Sequence, residues 1–148
     1  MAALYFDDFE EGQKFVSPGR TILESDVMQF AGLSMDFNPL HTDHEFAKGT
    51  VFGRPIAHGF LGLCIASGLT YRMGIFNETA IAFLGIKEWT IKAPIFFGDT
   101  VHVEVIIKEK RKTSNPGRGI IVRDTKLVKQ DGTVVQEGLL LLMIKCKE

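Results

Sequence analysis

Asp36 and His41 stand five residues apart in the segment D-F-N-P-L-H, and together they offer the two side-chain types that water activation needs. A histidine exchanges protons near neutral pH. A carboxylate can accept a proton from water or orient the imidazole. On a continuous helix the two would not share a face, since facing neighbours sit three or four residues apart. Pro39 lies between them and breaks such a helix, so a turn can bring the side chains together. The spacing alone does not decide the matter, because an Asp and a His five apart also occur as ordinary polar residues at a helix end.

His58-Gly59 forms a second component at the head of a long apolar stretch. The first N–H groups of a helix have no internal acceptor, and in a poorly solvated site they can hold a developing negative oxygen. Gly59 would let a ligand approach that N–H with no side chain in the way. His58 can instead simply support the loop or the helix start. Ser67, in A-S-G, is readable as a packing residue or as a functional hydroxyl. A metal held by His41, His44 and His58 is conceivable, but their spacing matches no standard zinc pattern, and no metal is expected.

The elements that must position these residues follow from periodicity. Residues 26–35 read as a helix with Asp26 as its cap, Gln29 three residues on, and Val27, Phe30, Ala31 and Ser34 on its inner face. Asn38, before Pro39, is biased toward extended geometry. A short helical turn is expected at 43–48, and residues 59–73 form an apolar helix expected to be buried, Cys64 with it. Beyond about residue 80 the pattern turns to strands. Val101, Val103, Val105 and Ile107 alternate with His102, Glu104 and Ile106, Ala82 to Ile95 holds one or two strands around Trp89, and Ile120–Val128 and Val134–Ile144 are two further runs. Asp131-Gly132 reads as a hairpin turn, and Gly98-Asp99 as another. Phe15-Val16 reads as part of a short early strand. The order predicts an α+β layout with one helix packed on a curled antiparallel sheet.

Composition narrows the classes of partner. A length of 148 residues suits one domain rather than two, here taken as 1–148. A net charge of −1 gives no broad surface to attract a polyanion, so nucleic acid is not an expected partner. The apolar runs are too short to span a bilayer, and the N-terminus lacks a basic segment with a long apolar run, so neither a membrane nor secretion is expected. The two cysteines form no disulfide framework, in keeping with a reducing, cytoplasmic setting.

The block D-F-N-P-L-H-T-D, followed by R-P-I-A-H-G-F and A-S-G, resembles the MaoC-like (R)-specific enoyl-CoA hydratases. W-T-I-K-A-P-I-F-F-G-D-T-V is similar to that family's later strand pair, so the likeness spans residues 10–145. It implies a hot-dog fold, in which a curved antiparallel sheet wraps a long central helix. It also implies that Asp36 and His41 are the catalytic pair, that the Gly59 N–H binds the thioester carbonyl, and that Ser67 supports the site's hydrogen bonds while Asn38 shapes the loop. The implied reaction is reversible syn addition of water to a trans-2-enoyl-CoA, giving an (R)-3-hydroxyacyl-CoA. No cofactor is implied beyond the coenzyme A of the substrate, and the implied assembly is a homodimer or dimer of dimers. The coenzyme phosphates call for basic partners, for which Arg54, Lys110, Arg111 and Lys112 are the candidates. An acyl-CoA thioesterase on the same fold and a non-catalytic acyl-thioester-binding subunit are the rival functions, separable by thiol release and by whether the site residues can be dispensed with.

Overall fold

The computed structural model describes residues 2–148. A single 3₁₀ turn at Phe6–Asp8 leads into two short strands, β1 (Lys14–Val16) and β2 (Arg20–Thr21). Helix α1 (Glu24–Ser34), two short helices α2 (Pro39–Thr42) and α3 (His44–Lys48), and the long helix α4 (Gly59–Arg72) come next. The rest is four long strands, β3 (Ala80–Ile91), β4 (Thr100–Lys112), β5 (Arg118–Lys129) and β6 (Val134–Lys145). They form one antiparallel sheet in the order β1-β4-β5-β6-β3, with β2 also paired to β4. Helix α4 packs on β4 and β5, which makes this the hot-dog arrangement of sheet around helix.

The period-two pattern explains the sheet's inner face. Val101, Val103, Val105 and Ile107 are fully buried on β4, while His102, Glu104 and Ile106 between them are only half-buried. They join Leu61, Ile65, Ala66 and Leu69 of α4 in the core. Two tight turns fall where expected, with Gly98 and Gly132 at positive φ, +91° and +87°, which glycine adopts without steric cost.

Three expectations need correction. Helix α1 begins at Glu24, so Asp26 lies inside its first turn. The Asp26 carboxylate accepts from the Leu23 N–H at 2.8 Å and from Arg20 at 2.7 Å, and it, not the Gln29 amide, is the side chain that reaches back to the helix start. Ser34 is exposed, not on the inner face. Helix α4 is not buried all round either. Phe60, Cys64 and Gly68, four residues apart, form a stripe on the side away from the sheet, so Cys64 is a surface residue.

Strand β3 closes one end of the sheet, and among the described residues nothing pairs with its outer edge. Ile81, Phe83, Leu84 and Ile86 are exposed there. No helix of the described residues is long and apolar enough to cross a membrane.

Candidate active site

The site is assembled by short-range backbone capture. Met35 ends α1 in the left-handed conformation, with φ of 62°, and turns the chain. The Ser34 hydroxyl donates to the Phe30 carbonyl at 2.7 Å and accepts from the Asp36 N–H at 3.2 Å. The Asp36 carboxylate accepts from the Asn38 N–H at 3.2 Å. Asn38 then caps α2, its side-chain oxygen accepting from the Leu40 N–H at 3.0 Å. Pro39 takes the first helical position, where its missing N–H costs nothing. That cap directs His41 inward.

The His41 Nδ1 lies 2.7 Å from the Ile56 carbonyl oxygen. A carbonyl only accepts, so Nδ1 carries the proton and Nε2 of the neutral ring keeps its lone pair. His58 is held in the complementary way. Its Nε2 donates to the Asp36 carbonyl at 2.9 Å, and its Nδ1 is buried without a partner. The two imidazoles stack with centroids 3.8 Å apart, and Phe30 meets His58 edge-on at 5.0 Å. Asp36, His41 and His58 thus offer side-chain atoms within 4.8 Å of one another, Asp36 exposed and both rings buried. His44, weighed with them as a metal ligand, lies elsewhere, paired with Glu24 at 2.7 Å.

Burial holds the His41 imidazole below the ordinary histidine value. The Ile56 carbonyl pulls the other way, His58 adds to the lowering, and the Asp36 carboxylate opposes it. The result favours a neutral ring that can accept a proton from water.

His41 and Gly59 both line a cavity of about 340 Å³ whose other walls include Phe52, Ile56, Ile91, Pro94 and Ile95. No side chain caps α4, so the first-turn N–H groups have no intrahelical acceptor. A Cβ on Gly59 would come within 2.3 Å of the Ile91 Cδ1, so a side chain there would crowd the cavity wall.

Other sequence candidates fall outside this cluster. Ser67 is half-buried on α4, eight residues beyond Gly59 and hence about 12 Å along the axis. Lys110 is already engaged, donating to the Phe6 and Phe9 carbonyls at 2.9 and 2.7 Å and lying over the Phe6 ring. It sits seven residues along β4 from Val103, the position in register with Leu127 and Gln136, and so is about 23 Å from the cavity end of the sheet. Arg111 and Lys112 lie farther still. Within one copy of the chain, therefore, the 108–112 run is remote from the cavity. Arg54 is nearer, with its guanidinium 3.8 Å above the Phe96 ring, next to the cavity-lining Ile95.

One cavity-lining residue and its partner behind it escaped the sequence reading. Gln136 of β6 lines it, and its Nε2 donates to the Gly59 carbonyl at 3.1 Å. Its Oε1 accepts from the Trp89 indole, also at 3.1 Å. A polar amide in the run V-V-Q-E-G-L-L-L-L was the available signal, because a buried polar side chain needs partners.

The profile of the MaoC-like domain matches residues 8–129. The chain belongs to the MaoC-like family. It is 41% identical over 103 residues to an (R)-specific enoyl-CoA hydratase of Rhodospirillum rubrum, covering 70% of this chain and 69% of that one. The structure of an (R)-hydratase from A. caviae involved in PHA biosynthesis superposes with a TM-score of 0.77 at 34% identity, covering 91% of this chain and 96% of that one. A structure described as a monoamine oxidase regulatory protein from Archaeoglobus gives a TM-score of 0.90 at 35% identity, covering 100% and 98%. MaoC-like membership extends across α1, the Asp36–Gly59 block, α4 and the sheet through β5.

Proposed function

We propose that the protein is an (R)-specific enoyl-CoA hydratase, working reversibly as a 3-hydroxyacyl-CoA dehydratase. The observation that carries this is the convergence of Asp36, His41 and the uncapped start of α4 at Gly59 on one side of an apolar cavity. Membership of the MaoC-like family supports the same reading.

In this mechanism the thioester carbonyl of a trans-2-enoyl-CoA accepts from the Gly59 N–H. Asp36 and His41 hold one water against C3. As its oxygen bonds to C3, the pair takes one of its protons and the other stays on the new hydroxyl. The C2–C3 π electrons move toward the carbonyl oxygen, and a proton delivered to C2 on the same face completes the addition. Negative charge on that oxygen exists mainly in the transition state, so the N–H groups of α4 stabilise it more than the ground state and accelerate the step. His41 Nε2, the nitrogen left free by the Ile56 carbonyl, is the basic atom of the ring. The reverse sequence removes water.

We further propose a homodimer in which the outer edge of β3 is covered by a second copy, because an exposed apolar edge strand is otherwise an aggregation hazard. Arg54 is the basic residue best placed to meet a coenzyme phosphate in one copy.

The test follows the conjugated thioester absorbance of crotonyl-CoA alongside a free-thiol assay. Loss of absorbance without thiol supports hydration. Thiol release would replace the reading with a thioesterase, and binding without turnover of short, long or branched enoyl-CoAs would replace it with a non-catalytic acyl-thioester-binding subunit.

A further inference from the structure

Gln136 and Trp89 are held against the start of α4 by a bulge and two close backbone approaches. The β3–β6 register shifts between Lys87 and Thr90, and Glu88 there takes a positive φ of 56°, which is rare for a residue with a Cβ. Such bulges re-aim side chains, and this one lies beside Trp89. Gly138 opposite has no room for a Cβ, which would fall 2.8 Å from the Trp89 Cα and Cε3. On the other side, a Cβ at Gly62 would come within 2.1 Å of the Gln136 Nε2. One residue in a sparsely populated conformation and a glycine without side-chain space thus adjoin Trp89, and a second such glycine adjoins the Gln136 amide.

The amide has one allowed orientation. The Trp89 indole N–H only donates, so it must meet the Gln136 oxygen, and the Gln136 NH₂ must face the Gly59 carbonyl. Gln136 is itself only 2% exposed, so water is a poor substitute for either partner. Gly59 is thereby held from its carbonyl side, while its N–H side faces the substrate in the mechanism proposed above.

We infer that Gln136, oriented by Trp89, is a positioning residue that holds Gly59 through the carbonyl of its link to Phe60, so that the Gly59 N–H, on the link to His58, meets the thioester oxygen in the transition state. This rests on the hydratase reading. Gln136 does not touch the reacting atoms and exchanges no proton. It acts through Gly59, so its loss should lower turnover more than substrate affinity.

The experiment measures crotonyl-CoA hydration by the full-length protein and by Q136M, Q136E, W89F and the W89F/Q136M double variant, across pH. A misplacement of a catalytic donor by about 1 Å can cost on the order of a hundredfold, so Q136M should lose about ten- to a hundredfold in kcat with KM near that of the parent. Because Trp89 acts through the amide, the double variant should be no slower than Q136M alone. In Q136E a carboxylate would face the Gly59 carbonyl, but its protonated form can donate to it as the amide does, so the activity of Q136E relative to the parent should rise as the pH falls. An unchanged kcat in Q136M, a loss confined to KM, or a pH-independent ratio for Q136E would each overturn the inference while leaving the hydratase reading intact. Should Q136M fail to fold, the Q136E ratio decides, since one folded variant is followed across pH against the parent. A parent protein with no hydratase activity would overturn the reading and this inference with it.

Discussion

At the N-terminal end of α4, His41, His58 and Gln136 are buried beside an open cavity, and their hydrogen bonds run to named carbonyls or to an indole, with the neutral His58 Nδ1 alone left without a partner among them. Beside Tyr71, near the other end of the same helix, Arg123 of β5 is just as buried, yet its Nε and Nη1 have no partner and its guanidinium lies 5.3 Å from the Phe76 ring centre. Burial lowers its affinity for a proton, with Tyr71 opposing that shift. The first cluster consists of groups that can work uncharged, as a base or a donor in a dry site must. The second buries a cation with two nitrogens unsatisfied, which stores cost without adjoining the cavity. Substitutions at the first end should therefore act on turnover, and those at the second on stability.

The largest effect is expected from Asp36→Asn and His41→Ala. Each removes one half of the proposed water-holding pair, and loss of a well-placed acid or base typically costs about 10²–10⁴-fold in rate. Asp36 is exposed, so Asp36→Asn should leave the urea midpoint nearly unchanged. If hydration of crotonyl-CoA survives both substitutions, the N-terminal end of α4 is not a catalytic end and the comparison fails.

Gly62→Ala comes next. The added methyl group meets the Gln136 amide, not solvent, and overpacking of this kind costs about 1–3 kcal/mol where neighbours cannot move. Here the neighbour is the group that holds Gly59, so kcat should fall together with the unfolding midpoint. Gly68→Ala, on the same helix with nothing within 4 Å, is the control: it should leave kcat nearly unchanged and raise the midpoint, since alanine is favoured over glycine inside a helix by about 1 kcal/mol. Equal effects of the two would remove the special status of the cavity end.

The contrast also marks how far the sequence could be read. The strands of β4 and β6 were legible because side chains alternate with a period of two, and the Asp36–His41 turn because Pro39 must break a helix. The outward stripe at Phe60, Cys64 and Gly68 was not, because an apolar helix gives no periodic sign of which side meets the sheet. The Gln136–Trp89 pair was hidden for a different reason. Its partners lie 47 and 77 residues away in sequence, and only the bulge at Glu88 together with β6 register brings them to α4. The place of the 108–112 basic run, toward the end of β4 away from the cavity within one copy, was not legible in its composition either.

At that far end Arg123→Met keeps the apolar stem and removes the unsatisfied N–H groups. Replacing buried charge with an apolar side chain of similar volume is often neutral or stabilising by about 1–4 kcal/mol. The urea midpoint should hold or rise and kcat should not change. A marked loss of stability would show that Arg123 satisfies more than its neighbours here reveal, and a loss of kcat would join the two ends into one functional unit.

The smallest effect is a pH dependence traced to His41. Its folded value lies below the unfolded value, because burial disfavours the charged ring. At pH above the unfolded value both states are neutral at this site and the stabilisation is complete. As the pH falls below the unfolded value the unfolded chain binds the proton first, so folding stability declines, and it goes on declining until the folded ring also protonates. The rate has a limb of the same sign, since protonation of His41 removes the lone pair at Nε2. The acid limb of kcat/KM in the free enzyme should therefore lie below that of an ordinary histidine. A limb at or above the ordinary value would mean that the Asp36 carboxylate outweighs burial. The urea midpoint of His41→Ala should depend less on pH over that window than the parent's, and equal dependence would assign the titration to another group. Arg123→Met should leave that pH dependence untouched, which keeps the two ends of α4 separable to the last and smallest measurement.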